Sequence, residues 1–351
     1  METDTPAAAE IAIDLVDFEV LASWMDVNGL GPGPIQNIEE LTGGTQNVLI
    51  RFTRGGTDYV LRRPPRHLRK ASNEVLRREA RVLAALGDTP VRSPRVFAAC
   101  GDETVMGAVF YLMESIDGFN ASLGLPEPHS SDKAIRRRMG FEAVDALATL
   151  GAVDHETIGL ADFGKPDGFL ERQVPRWLAE LDKYTELDGY AGPDIPGLDV
   201  IAGWLEDNRP ASFRPGIMHG DYHLANLMFS HSGSELAAIV DWEMCTIGDP
   251  LLDLGWLLVT WPDPNRPVSP ALALSSFNGF PQIEELAGRY AQQSDRDLTA
   301  LDWYRVLAAF KLGIILEGTH ARACAGRAPV ATGDLLHAIT LSLFEQAHEI
   351  I

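Results

Sequence analysis

Short apolar runs separated by polar turns predict an antiparallel sheet in the first third of the chain. The strand-like runs IQNIEEL and NVLIRFT flank the turn LTGGTQN at residues 41–47, and TDYVLRR follows after the turn RGGT. The runs PRVFAAC and AVFYLMESIDG predict two further strands, the second of which turns polar at Glu114. Strands of this length bounded by turn residues are typical of a small sheet.

The segment EVLRREARVLAAL predicts a helix with a charged residue inside its apolar stripe. At 100° per residue, Glu79 falls near the centre of the stripe formed by Val75, Leu76, Val82, Leu83 and Leu86. Burying an unpaired carboxylate is costly, so we expect a cation from the adjacent sheet, and Arg62 is the candidate. Arg63 is a neighbouring candidate. Strand alternation sends Arg62 and Arg63 to opposite faces, so only one of them can face the cleft, and we expect the other to be solvated. The alternative is a tilted helix that lets Glu79 reach solvent.

Beyond about Phe119 the apolar residues recur at spacings of three and four, which indicates helices. The pattern runs through MGFEAVDALATL, FLERQVPRWLAELDKY, LDVIAGWLED and YRVLAAFKLGIILEGTHARACAG. A chain of 351 residues is too long for one compact core and indicates about two domains. We therefore expect an α+β protein, with a sheet-containing domain at residues 1–115 and a mainly helical domain at residues 116–351.

The segment HGDYHLANLMF, residues 219–229, carries the polar residues with the clearest chemistry. Its end LMF and the run LAAIV are separated by the polar, glycine-containing turn SHSGSE, so a β-hairpin is expected. The outer ends of a hairpin lie side by side, which brings Asn226 next to Asp241. An amide oxygen and a carboxylate together suit Mg²⁺. Asp221 precedes Asn226 by a spacing that lets the loop hold a carboxylate near an acceptor hydroxyl.

The sequence pattern predicts structural roles for three residues in or near this segment. His219 is expected to hold the loop by hydrogen bonds, with an ordinary structural histidine as the alternative. Asp249 precedes a proline at the start of PLLDLGW and is expected to cap that helix. Asp253, within the same helix, is expected to brace the loop.

The loop HGDYHLANLMF resembles the HGDxxxxN loop of the aminoglycoside phosphotransferase and choline kinase-like family, and DWEMCTIGDPLLDLGW resembles its continuation. The resemblance implies a two-lobed protein-kinase-like fold with a small antiparallel-sheet N-lobe and a larger, mostly helical C-lobe. It implies Asp221 as catalytic base, Asn226 and Asp241 as Mg²⁺ ligands, ATP as donor and a small molecule as acceptor. The acceptor pocket is expected between Asn120 and about Pro210.

The kinase pattern also needs a glycine turn over the phosphates and a cation paired with a helix carboxylate. The turn is expected at Gly43, Gly44 and Thr45, the N–H groups of which can cover phosphate oxygens, while an ordinary turn is the alternative. Arg62 stands where the pattern VAIK has Lys, and Glu79 is its expected partner. Because the planar guanidinium differs from a compact ammonium, this is a departure from the pattern.

The adenine ring in the resembled family contacts the backbone that follows the last strand of the sheet. That likeness implies Glu114, Ser115 and Ile116 as the adenine-contact positions. A plain interdomain linker is the alternative, and both can hold because ligand sites favour domain interfaces.

Two further segments make the resemblance more specific. DFGKPDGFLERQVPRW and FKLGIILEGTHARACAG resemble the phosphotransferase domains that are found alone or fused to acyl-CoA dehydrogenases, and the resemblance covers about residues 30 to 350. It implies a hydroxyacyl-CoA or a related hydroxy acid as acceptor. An aminoglycoside kinase stays open as an alternative, as does a nucleotide-binding module without transfer, which the Arg62 departure favours. A metal-dependent phosphoesterase is disfavoured because it would need further His and Asp clusters.

Composition and charge limit the classes of partner that we expect for this protein. The formal net charge of −21 argues against nonspecific nucleic-acid binding, which requires clustered cations. The sequence contains no run of 18 apolar residues, and its acidic start METDTPAAAE lacks the basic region of a secretory signal. Its three cysteines, Cys100, Cys245 and Cys324, form no metal or disulfide pattern. We therefore expect a cytoplasmic protein without membrane or nucleic-acid partners, and the formation of a homodimer stays open.

Overall fold

A computed structural model of the chain describes residues 12–41, 47–65, 71–262 and 278–351. The chain divides into two compact units. Unit 1 is formed within Met1–Thr89 and Ser93–Ile116, and unit 2 within Pro90–Arg92 and Asp117–Ile351. The first unit combines an antiparallel sheet with helices and the second is mainly helical, so the fold class is α+β.

Unit 1 is built on an antiparallel sheet with the strand order β1-β2-β3-β5-β4. Its strands are β1 (Gln36–Glu40), β2 (Val48–Arg54), β3 (Thr57–Arg63), β4 (Val96–Cys100) and β5 (Phe110–Glu114). The turn between β2 and β3 contains Gly55 and Gly56, both with positive φ, at 58° and 80°. Two consecutive positive φ values give the tight hairpin that fits the twist of the strands.

Helices cover the sheet of unit 1. They are α1 (Phe18–Val27), α2 (Ser72–Leu86) and the short α3 (Glu103–Met106). Leu21 and Met25 of α1 join the hydrophobic cluster that contains Ile50, Phe52 and Leu61 of the sheet. The apolar face of α2 is buried as its period predicts, and the buried set includes Glu79.

Unit 2 is mainly helical. Its helices are α4 (Lys133–Ala152), α5 (Gln173–Tyr184), α6 (Leu198–Asp207), α7 (Leu251–Val259), α8 (Ile283–Gln293), α9 (Leu301–Cys324) and α10 (Val330–Ile350). The long α9 packs against α7 and α10. Every residue of α7 is buried, including Asp253. A buried carboxylate inside an apolar helix needs strong hydrogen-bond partners.

Five short strands of unit 2 form two small sheets. They are β6 (Phe119–Asn120), β7 (Gly216–Met218), β8 (Leu227–Phe229), β9 (Leu236–Ile239) and β10 (Thr246–Gly248). The order β6-β8-β9 gives one sheet, and β7 pairs antiparallel with β10. The chain from β7 to β10 contains the whole polar segment singled out from the sequence.

The helices in the described part of the chain lack the combination of length and hydrophobicity that crossing a bilayer requires.

Candidate active site

The loop between β7 and β8 holds Asp221 beside Asn226. The amide nitrogen of Asn226 donates to the backbone carbonyl of Asp221 at 2.8 Å and to its Oδ2 at 3.1 Å. The Nε2 atom of His223 lies 3.2 Å from the same carboxylate oxygen, and the Asp221 side chain is 34% exposed. Because the Asn226 nitrogen is turned toward Asp221, its Oδ1 is the atom available as a metal ligand.

The β8–β9 hairpin brings Asp241 to the same place. Leu227 pairs with Ile239, and the Val240 N–H donates to the Asn226 carbonyl at 2.9 Å. The sequence-based expectation that the two outer ends of the hairpin lie side by side is therefore confirmed. Asp241 has φ 66° and ψ 65°, in the left-handed region that few non-glycine residues adopt. Such backbone strain clusters at functional sites.

His219 connects the loop to the hairpin. Its Nε2 donates to the Val240 carbonyl at 2.9 Å, and its Nδ1 accepts from the Asp221 N–H at 3.4 Å. The ring is fully buried and contacts Trp242 edge-on at 4.9 Å between centroids. Burial lowers the pKa of His219, so the ring is neutral and can both donate and accept. The expected supporting role of His219 is confirmed.

Two aspartates of the α7 segment act as predicted. Asp253 accepts from the His219 N–H at 2.6 Å through Oδ2 and from the Gly220 N–H at 2.9 Å through Oδ1. It therefore braces the loop from inside the protein. Asp249 accepts from the Leu251 N–H at 3.1 Å, which caps the first turn of α7.

The charge of Asp221 is set by opposing effects. Burial would raise its pKa, but the hydrogen bond and charge of His223 and the charge of Lys311 lower the pKa well below the ordinary value. Asp221 is therefore ionised throughout the physiological range.

Gly220 has a backbone conformation that a side chain would disturb. Its φ is 87°, and a Cβ at this position would lie 2.4 Å from the Met244 carbonyl oxygen. A real Cβ does not approach backbone oxygen this closely, so the loop needs glycine here.

Lys311 is a residue of this region that was not predicted from the sequence. It lies on α9, is 7% exposed, and its Nζ donates to the Gly220 carbonyl at 3.2 Å. The sequence contained a signal, because Lys311 lies four residues after Leu307 and three before Ile314, and both of these residues are fully buried.

Unit 1 contains the predicted pair of Arg62 and Glu79. The Nε atom of Arg62 lies 2.9 Å from Oε2 of Glu79, and both side chains are buried. The ion pair is confirmed, and the alternative of a solvent-exposed Glu79 is wrong. The predicted phosphate-covering turn at Gly43, Gly44 and Thr45 lies outside the described residues. Glu114 ends β5, and Ser115 and Ile116 follow it as the last residues of unit 1.

The expectation that the arginine which does not pair with Glu79 is solvated was wrong. Arg63 is 6% exposed, and its guanidinium donates to the Leu15 carbonyl. Alternation does place it on the opposite face from Arg62, but the segment around α1 covers that face. No element before residue 35 was predicted, so nothing was expected to cover this face of the sheet.

These features define a kinase-like class of protein, in which a loop carboxylate stands beside a carboxylate and an amide that suit a divalent cation. The model of the phosphotransferase enzyme family matches residues 37–305. The chain therefore belongs to that family.

Individual relatives agree with this assignment. Acyl-CoA dehydrogenase family member 11 of Gallus gallus is 27% identical over 328 residues, covering 91% of this chain and 41% of that protein. The chain thus spans about two fifths of the length of this relative. A crystal structure of a candidate aminoglycoside phosphotransferase from Ralstonia eutropha has a TM-score of 0.78 at 29% identity, covering 95% of this chain and 98% of the other.

A third relative is similar in fold. The GDP complex of aminoglycoside 2'-phosphotransferase-IIIa has a TM-score of 0.61 at 16% identity, covering 93% of this chain and 99% of the other. The expected α+β class, the two-lobed protein-kinase-like fold, is confirmed.

Proposed function

We propose that the protein is a small-molecule kinase that transfers the γ-phosphoryl group of ATP to a hydroxyl group in the presence of Mg²⁺. The observation that carries the proposal is the placement of Asp221, Asn226 and Asp241. One hairpin hydrogen bond, from the Val240 N–H to the Asn226 carbonyl, holds the two ends of the segment together. A carboxylate for the acceptor and two oxygen ligands for a cation are what this transfer requires.

The donor set fits magnesium. Asn226 contributes an amide oxygen, Asp241 a carboxylate, and Mg²⁺ binds to hard oxygen ligands while keeping several waters. The hydrogen bonds from the Asn226 nitrogen to Asp221 fix which end of the amide is available. Bound Mg²⁺ supplies charge neutralisation at the transferred phosphoryl group.

Asp221 has the role of orienting the acceptor in this proposal. Its ionised carboxylate accepts a hydrogen bond from the acceptor hydroxyl and receives the proton as the new O–P bond forms. The bond between the γ-phosphorus and the bridging oxygen breaks, and ADP leaves with that oxygen. A carboxylate with a lowered pKa is a weak base, so its contribution is mainly orientation.

In unit 1, Arg62 binds phosphate oxygens of the nucleotide, and Glu79 orients its guanidinium. The buried ion pair supports this assignment. An arginine offers a planar fork that suits phosphate recognition. Glu114, Ser115 and Ile116, together with Gly43, Gly44 and Thr45, remain the proposed nucleotide contacts of the sheet-containing domain, residues 1–115.

The proposed acceptor is a hydroxyacyl-CoA or a related hydroxy acid. The similarity to acyl-CoA dehydrogenase family member 11 over 91% of the chain supports it, because a kinase domain joined to such an enzyme would share its class of substrate. An aminoglycoside is the second candidate, supported by the 29% identity to the Ralstonia protein. A nucleotide-binding module without transfer is the third, and the arginine at position 62 is the feature that favours it.

One experiment separates these candidates. Purified protein is incubated with Mg²⁺ and γ-labelled ATP or GTP, and with separate panels of hydroxyacyl-CoAs, aminoglycosides and small alcohols. The Asp221→Asn variant serves as the matched control for contaminating kinases. Label in a hydroxyacyl-CoA with wild type and not with the variant supports the proposal, and label in an aminoglycoside supports the second candidate. Nucleotide binding without any labelled product supports the third.

A further inference from the structure

A lysine is buried directly behind the loop that carries Asp221. The Nζ atom of Lys311 donates to the Gly220 carbonyl at 3.2 Å. It lies 4.3 Å from the ring centroid of Trp256 and 5.7 Å from that of Trp177. The side chain is therefore enclosed between two aromatic rings and one backbone oxygen.

Burying a lysine at this position lowers the free energy of unfolding. An ammonium group loses strong hydration on burial, and cation–π contacts with one hydrogen bond recover only part of that free energy. Burial lowers the pKa of Lys311 and the charge of Arg176 adds to that lowering, while the charges of Asp253 and Asp221 oppose it in part. A methionine or leucine would fill the same volume without this cost, so the positive charge needs a function.

The backbone N–H and the backbone carbonyl of Gly220 both have buried hydrogen-bond partners. Its N–H and that of His219 donate to the two carboxylate oxygens of Asp253 on α7, while its carbonyl accepts from Lys311 on α9. The next residue along the chain is Asp221. Two helices thus fix the backbone on which the proposed acceptor-orienting carboxylate stands.

We propose that Lys311 is a positioning residue for phosphoryl transfer, and that together with Asp253 it clamps the Gly220 peptide and so fixes the direction of the Asp221 side chain. The catalytic part of this proposal rests on the proposed function. The clamp itself is a property of unit 2 and can be tested without turnover.

The charge of Asp253 depends on this clamp. Burial raises the pKa of Asp253 to about 7, and the N–H groups of Gly220 and His219 and the charge of Lys311 hold it from rising further. Three other groups face Asp253: Asp221 in the loop, Tyr222 and Tyr290. The pKa values of both tyrosines are raised, so both side chains stay neutral. Without Lys311, we expect Asp253 to take up a proton at neutral pH and to lose part of its grip on the two N–H groups.

The turnover-independent test is a double-mutant cycle in urea unfolding with Lys311→Met, Asp253→Asn and the double variant. We expect each single variant to lower the urea midpoint and the double variant to lower it by clearly less than the sum, because the two groups compensate each other. We also expect the loss for Lys311→Met to be larger at pH 8.5, where an ionised Asp253 has no counter-charge, than at about pH 5.5, where the carboxyl is protonated. Additive losses that do not change with pH would overturn the clamp.

The catalytic test compares steady-state constants. Lys311→Met should lower kcat by on the order of 10²-fold, because a small misplacement of the oriented group has that effect, while the nucleotide KM changes little. Lys311→Gln keeps a donor for the Gly220 carbonyl without the charge, and should retain more activity than Lys311→Met. Lys183→Met, a change at an exposed lysine of α5, is the control and should match wild type.

The outcomes separate the two proposals. Equal loss of kcat and of nucleotide affinity in Lys311→Met, or unchanged kcat, would overturn the positioning role. If wild type transfers phosphate to none of the acceptors, the proposed function fails, and the urea cycle still decides whether Lys311 and Asp253 are coupled. If Lys311→Met does not fold, Lys311→Gln takes its place in the cycle and in the kinetics.

Discussion

Arg62 and Glu79 form an ion pair of 2.9 Å in which the side chains are only 8% and 1% exposed. The pair joins β3 to α2. A buried ion pair is costly to break at one partner, because the other charge remains in a low-dielectric site. Its energetics can therefore be measured even before a substrate is known.

The first prediction concerns this pair. Arg62→Ala and Glu79→Ala should each lower the free energy of unfolding by about 3–5 kcal/mol, and the double variant should lose less than the sum. Denaturant unfolding of the four proteins measures the coupling. Strictly additive losses would show that the pair has no energetic significance.

The Arg62→Lys variant adds a test in transfer assays. Lysine keeps the positive charge but not the planar fork, so its activity shows which of the two properties matters.

The second prediction concerns Asp221. Asp221→Asn should reduce kcat by about 10²- to 10⁴-fold, because it removes the carboxylate that orients and deprotonates the hydroxyl. Nucleotide affinity, measured by calorimetry, should stay close to wild type, since the phosphate-binding residues are untouched. Asp188→Asn, at an exposed position, is the matched control. Wild-type turnover in the Asp221 variant would contradict the assigned role.

The third prediction concerns metal binding. Asp241→Ala should abolish Mg²⁺-dependent nucleotide binding and lower turnover by on the order of 10²-fold or more, because a bound cation contributes several kcal/mol. Asn226→Ala should have a smaller effect, since it removes a neutral ligand. Mg²⁺ titrations followed by nucleotide binding measure both. Identical titrations of wild type and the Asp241 variant would exclude Asp241 as a ligand.

The fourth prediction concerns the conformation at Gly220. Gly220→Ala should destabilise the protein and reduce kcat, because its Cβ would meet the Met244 carbonyl oxygen at 2.4 Å. Gly288→Ala is a matched control in α8, where a Cβ meets nothing within 4 Å. There alanine should be neutral or stabilising by about 0.5–1 kcal/mol, as in other exposed helix positions. Equal thermal stability of the two variants would contradict the strain at Gly220.

The fifth prediction concerns pH. Burial lowers the pKa of His219 from 6.5, so below that pH the unfolded chain takes up a proton that the folded chain does not. Stability should therefore fall as the pH falls below about 6.5, by up to about 1.4 kcal/mol per pH unit from this group. His219→Gln retains a donor and an acceptor and should show a flatter profile from pH 7 to 5. Parallel profiles would indicate that His219 titrates normally.

Local pattern predicted much of this structure. The run TDYVLRR predicted β3 with its observed bounds, LDVIAGWLED did the same for α6, and the polar turn SHSGSE predicted the β8–β9 hairpin. These elements follow from alternation, helical period and turn chemistry, which are properties of neighbouring residues. The pair of Arg62 and Glu79 could also be predicted, because a carboxylate at the centre of an apolar stripe requires a cation.

Contacts between distant segments could not be predicted in the same way. The burial of Arg63 depends on the segment around α1, and the position of Lys311 depends on how α9 packs behind the loop. β7 and β10 are each three residues long and stabilise each other by pairing, so neither has a periodicity that could be recognised alone. The requirement for glycine at position 220 arises from the path of Met244, which is remote in sequence.

The close approach of Met244 to Gly220 also limits how this loop can change in evolution. Protein kinases have arginine in the corresponding triplet, HRD, and that side chain has no space while the Met244 carbonyl occupies its present place. A lineage could exchange glycine for arginine here only after the segment following Asp241 had taken another route. We therefore expect the residue at position 220 and the path of the segment through Met244 to change together.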